Sequence, residues 1–193
     1  MVRKPALLAA VLLMMPWHHL QTARAHQTPF PTELLLRIDG AQVVLIVRLE
    51  QGAGENAQTL REMFDANRDG VLDASEQRRL ARYFEQRARQ WLELEVDGAP
   101  LVLKRRERRL GGDTSAHSAR PLVMRLDLAG NLLPRKTHTI VLRDRNGDRR
   151  VPVRALVIVA GHAIENATQG PPKNGQIANV ILTEKVALSF TLR

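Results

Sequence analysis

The chain has 193 residues and no cysteine, which excludes a disulfide framework, a thiol nucleophile and a zinc or iron–sulfur site built on sulfur. Its 44% hydrophobic and 25% charged residues are those of a chain able to bury its own core. Lys plus Arg number 29 against 20 Asp plus Glu, a net charge of +9, so acidic partners are the first expectation.

Residues 1–25 read as a secretory signal. Arg3 and Lys4 form a charged start, Ala6 to Met15 is an apolar run too short to span a bilayer, and Ala23-Arg24-Ala25 is a small-x-small cleavage site. Cleavage there makes His26 the new N-terminus. No later stretch approaches the roughly 20 apolar residues of a membrane helix, so the expectation is an exported protein, periplasmic or extracellular, with no transmembrane segment in residues 26–193.

After a proline-marked lead-in from His26 to Pro31, Glu33 to Ile38 is strand-like, Asp39-Gly40 signals a hairpin, and Gln42 to Leu49 is the partner strand. The period then changes. Leu60, Met63 and Phe64 mark a short helix over about Glu55 to Phe64. A turn-rich stretch follows, and Leu80, Phe84, Ala88 and Trp91 mark a second helix from Ala74 to near Trp91. Beyond it Leu92 to Val96 alternates, Asp97-Gly98 turns, and Pro100 to Lys104 is the answering strand. Gly111 to Ala119 reads as a polar loop, and Pro121 to Leu128, Thr137 to Leu142 and Val151 to Val159 as strands, with a turn at Asp144 to Arg149. Ala160 to Gly175 is loop, and Ile177 to Leu192 holds one or two last strands. About eight short strands with one helix–loop–helix predict a mainly β chain: an immunoglobulin-like antiparallel β-sandwich over 26–193, with a helical insert at about 55–91.

Between the two helices, residues 65–76 read DANRDGVLDASE. Asp65, Asn67 and Asp69 stand at loop positions 1, 3 and 5. Gly70 stands at position 6, where a chain wrapping an ion turns sharply. Val71 at position 7 offers its carbonyl, Asp73 at position 9 a carboxylate, and Glu76 at position 12 two oxygens from the exiting helix. Calcium is a hard cation that takes six to eight oxygens, and alternate side chains of a tight loop can supply them. Leu72 faces away from the ion and is expected to pack inward. Asp73 and Glu76 also form a capping box for the second helix, but a capping box leaves Asp65, Asn67, Asp69 and Gly70 unexplained.

This helix–loop–helix resembles the EF-hand family over about residues 55–91. The resemblance implies Ca²⁺ held by Asp65, Asn67, Asp69, Val71, Asp73 and Glu76. EF-hands usually come in pairs, and only one is found here: Asp144-Arg145-Asn146-Gly147-Asp148 begins like a second loop, but Arg149 and Ala155 stand where Gly and Glu belong. Arg61, Arg68, Arg78 and Arg79 lie close in sequence and oppose a cation, so an affinity of about 10⁻⁵–10⁻³ M is expected. Over most of the chain, the order of cleavage junction, strand pair turning at Ile38-Asp39-Gly40, EF-hand and the stretch Leu142-Arg143-Asp144-Arg145-Asn146 resembles the exported domain of hydrogenase/urease-accessory (nickel-permease-like) membrane proteins. The membrane helices that follow that domain are not found before Arg193.

An N-terminal His26 is also a copper-type chelate, amine plus imidazole. It resembles the start of small periplasmic copper-binding sandwich proteins, with His117, His138 and His162 as the other histidines beyond the signal. Lys104-Arg105-Arg106-Glu107-Arg108-Arg109 is a basic run without interleaved aromatics, which reads as a solvated strand end rather than a nucleic-acid site. Asn166-Ala167-Thr168 fits a glycosylation acceptor pattern. No nucleophile, zinc-protease or phosphate-loop motif is present, so no enzyme is expected. The sequence thus predicts an exported calcium-binding protein in which one EF-hand fixes a helical insert on a β-sandwich used to meet a protein or anionic surface. The alternative is a periplasmic transition-metal binder using His26.

Overall fold

The computed structural model describes residues 30–145, 152–183 and 185–193. Residues 1–25, read above as a signal, His26 and most of the 144–149 turn lie outside them. In chain order the elements are β1 Phe30–Asp39, β2 Gln42–Gln51, α1 Glu55–Phe64, α2 Ala74–Trp91, β3 Leu92–Val96, β4 Ala99–Pro100, β5 Lys104–Gly111, β6 Leu122–Asn131, β7 His138–Asp144, β8 Val153–Ala160, β9 Ile164–Glu165, β10 Gln176–Leu182 and β11 Leu188–Leu192. The described residues are mainly β, with two helices and two sheets.

The six-stranded sheet runs β10-β8-β1-β2-β6-β5 and the five-stranded sheet β4-β3-β7-β11-β9. Strict alternation places Leu34, Leu36 and Ile38 of β1, Val43, Leu45, Val47 and Leu49 of β2, and Leu122, Met124, Leu126 and Leu128 of β6 on the buried side. Leu94, Ile140, Leu142, Leu188, Phe190 and Leu192 do the same for the second sheet. All join one continuous core, the arrangement of a sandwich. Each such side chain contributes about 1.5–3 kcal/mol on leaving water. The β1–β2 hairpin turns at Gly40-Ala41, with Asp39 paired to Gln42. At Asp97-Gly98 both residues have positive φ, 55° and 80°, as a two-residue hairpin turn with right-handed strand twist requires. One pairing among the described strands is parallel rather than antiparallel: β1 also pairs with β8.

Both helices start and stop where the periodicity requires. Gly54 opens α1, its carbonyl accepting from the Ala57 and Gln58 N–H groups, and the helix buries Ala57, Leu60 and Arg61. Asp73 caps α2 through the Ser75 and Glu76 N–H groups, with Glu76 reaching back to the cap. Leu80, Phe84 and Ala88 recur every fourth residue and are fully buried. α2 packs across β1, β2, β5 and β6, then runs without a break into β3.

Three expectations need correction. The described residues hold eleven strands, not about eight. The expected strand at Pro100 to Lys104 is instead the two-residue β4, and the chain re-enters a sheet only at Lys104. The basic run is therefore the body of β5, an edge strand paired along β6. The run is largely exposed, as expected, but two of its side chains are tied down: Arg105 and Arg108 reach Glu85 of α2, at 2.9 and 3.0 Å. Thr168 of the glycosylation pattern ties into β11 through the Ser189 N–H, 2.9 Å from its hydroxyl. No helix of the described residues is long and apolar enough to cross a membrane.

Candidate metal centre

Asp65 ends α1, its N–H still bonded to the Arg61 carbonyl. Asp65 as a whole is 8% exposed. Oδ2 accepts from the Gly70 N–H at 2.9 Å, while Oδ1 is buried with no hydrogen-bond donor. An oxygen in that position lacks the donor that would compensate its removal from water. Gly70, at φ 82°, makes the sharp turn. A Cβ there would also lie 3.3 Å from Nε2 of His117, so the position has both a conformational and a steric reason for glycine.

The rest of the loop is knitted by carboxylates on backbone N–H groups. Asp69 Oδ1 accepts from Val71 N–H at 2.9 Å, and Asn67 Oδ1 from Asp69 N–H at 3.1 Å. Asn67 Nδ2 donates to Asp69 Oδ2 at 2.9 Å. Asp73 Oδ1 accepts from Ser75 and Glu76, and the Glu76 N–H bond above all holds the Asp73 carboxyl below the ordinary carboxylate range. Glu76, 2% exposed, spans the loop. Oε1 accepts from Ala66 N–H at 2.8 Å and Oε2 from Asp73 N–H at 2.9 Å, so its head lies beside the loop's second position and its ninth. Leu72 is 2% exposed and packs inward as expected.

Among the described residues, no three His, Asp or Glu side chains are gathered as a set of metal ligands. The reason is visible in the bonds above: Asp69, Asp73 and Glu76 spend their oxygens on N–H groups of the loop and of the α2 cap. The donor set itself is all oxygen, and the exposed Asp69 and Asp73 are bound only to neighbouring loop groups. With the buried, undonated Oδ1 of Asp65, this chemistry fits a hard divalent cation.

The four arginines expected to oppose a cation divide. Arg79 sits 3.5 Å from Glu76 Oε1. Arg68 and Arg78 are exposed. Arg61 is turned to other partners: it is fully buried, and burial pulls its guanidinium pKa down. Nη1 donates to the carbonyls of Ser118 and Arg120, both at 2.7 Å, Nε to Asp113 at 3.3 Å, and Nη2 to Pro121 at 3.3 Å. This residue escaped sequence reading, since every group it meets lies more than fifty residues away apart from the Ala57 carbonyl. Its only local signal is a cation at i+4 from Ala57 and one position after Leu60, on the buried edge of the helix.

The histidines are dispersed. His117 Nδ1 lies 3.3 Å from Glu62, buried His138 is 2.9 Å from Asp97, and His162 is 3.0 Å from the Gly40 carbonyl. His26 lies outside the described residues. Comparison with protein-family models, with curated proteins and with solved structures finds no match to this chain.

Proposed function

We propose that this is an exported calcium-binding protein whose 65–76 loop is a single EF-hand, carried as a helical insert on an immunoglobulin-like sandwich. The observation that carries the reading is Oδ1 of Asp65: a buried carboxylate oxygen without a donor, at the first ligand position of DANRDGVLDASE. Asp65, Asn67, Asp69, Asp73 and Glu76 would hold the ion with their side chains, and Val71 with its carbonyl. A bound calcium ion supplies the positive charge that offsets four carboxylates held in one twelve-residue loop. The chain's part is to order those carboxylates: Asp65 from the end of α1, Glu76 from the first turn of α2. Ordering them fixes the two helices relative to one another and gives the insert one surface for a protein or anionic partner.

The test is a calorimetric titration of the full chain with Ca²⁺ and Mg²⁺. It is run beside the fluorescence of Trp91, with Trp17→Phe leaving Trp91 as the sole tryptophan. Saturable binding of Ca²⁺ that Mg²⁺ does not reproduce, lost in Asp65→Ala and Glu76→Gln while the β circular dichroism persists, is the expected result. Neither heat nor fluorescence change in the parent chain overturns the reading.

A further inference from the structure

A lone calcium loop lacks the neighbouring loop against which a paired one leans. In this chain a different segment occupies that place. The β5–β6 connection passes alongside Gly70 to Leu72. Leu72 N–H donates to the Thr114 carbonyl at 2.8 Å, and Ala116 N–H donates to the Gly70 carbonyl at 2.8 Å. Val71 and Ser115 face each other between those two bonds as a single antiparallel pair.

The geometry has a consequence for the seventh loop position. In an extended segment, successive residues point their N–H and C=O groups to opposite sides. Gly70 C=O and Leu72 N–H are turned toward residues 114–116, so the N–H and C=O of Val71 are turned away from them. Asp69 confirms the direction, since its Oδ1 takes the Val71 N–H at 2.9 Å. Residues 114–116 therefore aim the Val71 carbonyl to the side where the Asp69 carboxylate lies.

That connection is itself held from α1. The buried guanidinium of Arg61 donates to carbonyls at Asp113, Ser118, Arg120 and Pro121, on both sides of the pairing segment. Asp113 Oδ1 accepts from the Ser115 N–H at 3.0 Å, and Ala116 is fully buried. Arg61 stands one helical turn before Asp65, so the helix that carries the first ligand also carries the clamp.

We propose that residues 113–116 are the pairing half of the calcium loop, with Arg61 as their positioning residue, so that calcium affinity and the order of the β5–β6 connection rise and fall together. The proposal rests on the calcium reading above. Thermodynamic linkage makes the effect reciprocal: whatever the segment adds to calcium affinity, calcium adds to the segment's stability.

The test uses the full chain and Ca²⁺ alone. Ala116→Pro removes one of the two pairing N–H groups. Arg61→Lys keeps a buried cation but loses the planar fork of donors. With the β circular dichroism retained, Ca²⁺ should bind about tenfold more weakly to Ala116→Pro, and to Arg61→Lys by a lesser factor in the same direction. In the unaltered chain, saturating Ca²⁺ should slow amide hydrogen exchange at Ala116 and Leu72. That measurement decides the matter if either variant does not fold. Parent binding with unchanged affinity in a folded Ala116→Pro, or unchanged exchange at Ala116, overturns the pairing and leaves the calcium reading standing. No Ca²⁺ binding by the parent overturns both.

Discussion

Two buried charges fasten the helical insert to the β structure, and they do so by opposite means. Arg61 of α1 is a cation satisfied by neutral carbonyl groups of the β5–β6 connection. Glu85 of α2, 8% exposed, is an anion met by three guanidiniums: Arg89 on its own helix and Arg105 and Arg108 on β5. Hydrogen bonds to carbonyls make this anchor depend little on salt and mild acid, because those acceptors do not titrate and the charge of Asp113 adds only a secondary attraction. An ion cluster is stronger bond for bond, but it depends on one carboxylate staying ionised and on ionic strength. The same insert is thus held at one end by a geometric clamp and at the other by an electrostatic one.

Removing the clamp should cost most. Arg61→Met leaves buried carbonyls without a donor, and urea denaturation should show a loss of about 3 kcal/mol. A loss below about 1 kcal/mol would mean that the carbonyls find water and that the clamp is ornamental.

Glu85→Gln should cost less, about 1–2 kcal/mol, because the arginines it releases reach solvent and only Arg108 is largely covered. Burial works against the charge on Glu85, and the hydrogen bonds from Arg105 and Arg89 outweigh it, so its carboxyl is held below the ordinary range. A carboxyl depressed by folding stabilises above its unfolded pKa, about 4.3, and that stability drains away as pH falls through the folded value. Acid titration of stability should therefore be shallower in Glu85→Gln than in the parent below about pH 4.3, and the difference between the two should shrink in high salt. Equal acid slopes would break the contrast between the two anchors.

The smallest effect is expected at Arg106, between the two arginines that reach Glu85. It is exposed, and Arg106→Ala should change stability by no more than about 0.5 kcal/mol. A larger loss would show that the run acts through net charge and not through two specific contacts.

Local patterns were enough to place the helices. The 3.6-residue recurrence of Leu80, Phe84 and Ala88, and the Asp73–Glu76 cap, bound α2 to the residue, and the alternation of Leu92 to Val96 is β3 as read. The long strands β1, β2, β6, β7 and β8 were legible for the same reason, with ends displaced by a few residues. β5 was not. Lys104 to Arg109 has almost no apolar alternation, and it is a strand because β6 supplies its ladder and Glu85 absorbs its charge. The site divides in the same way. The loop's residue types and the inward Leu72 are written in twelve consecutive letters, whereas the pairing with 114–116 and the burial of Arg61 depend on chain half a hundred residues away. Sequence spacing conveys what a segment tends toward, and it is silent on what will lie beside it.

The parallel pairing of β1 with β8 sets the order in which the molecule can be assembled. Glu33 to Asp39 lies in the middle of the six-stranded sheet, flanked on one side by β2 from the adjoining hairpin and on the other by Arg154 to Ala160. The first side can close within microseconds of the hairpin being made. The second must wait for nearly the whole chain. Until then Leu34, Leu36 and Ile38 belong to an open, apolar edge, the kind of surface on which unfinished chains recruit one another. Closing a pair so distant in sequence is slow, on the scale of milliseconds to seconds. A ribosome releasing this chain therefore holds a half-built sheet through most of synthesis, and a truncation before β8 should yield inclusion bodies rather than a smaller sandwich.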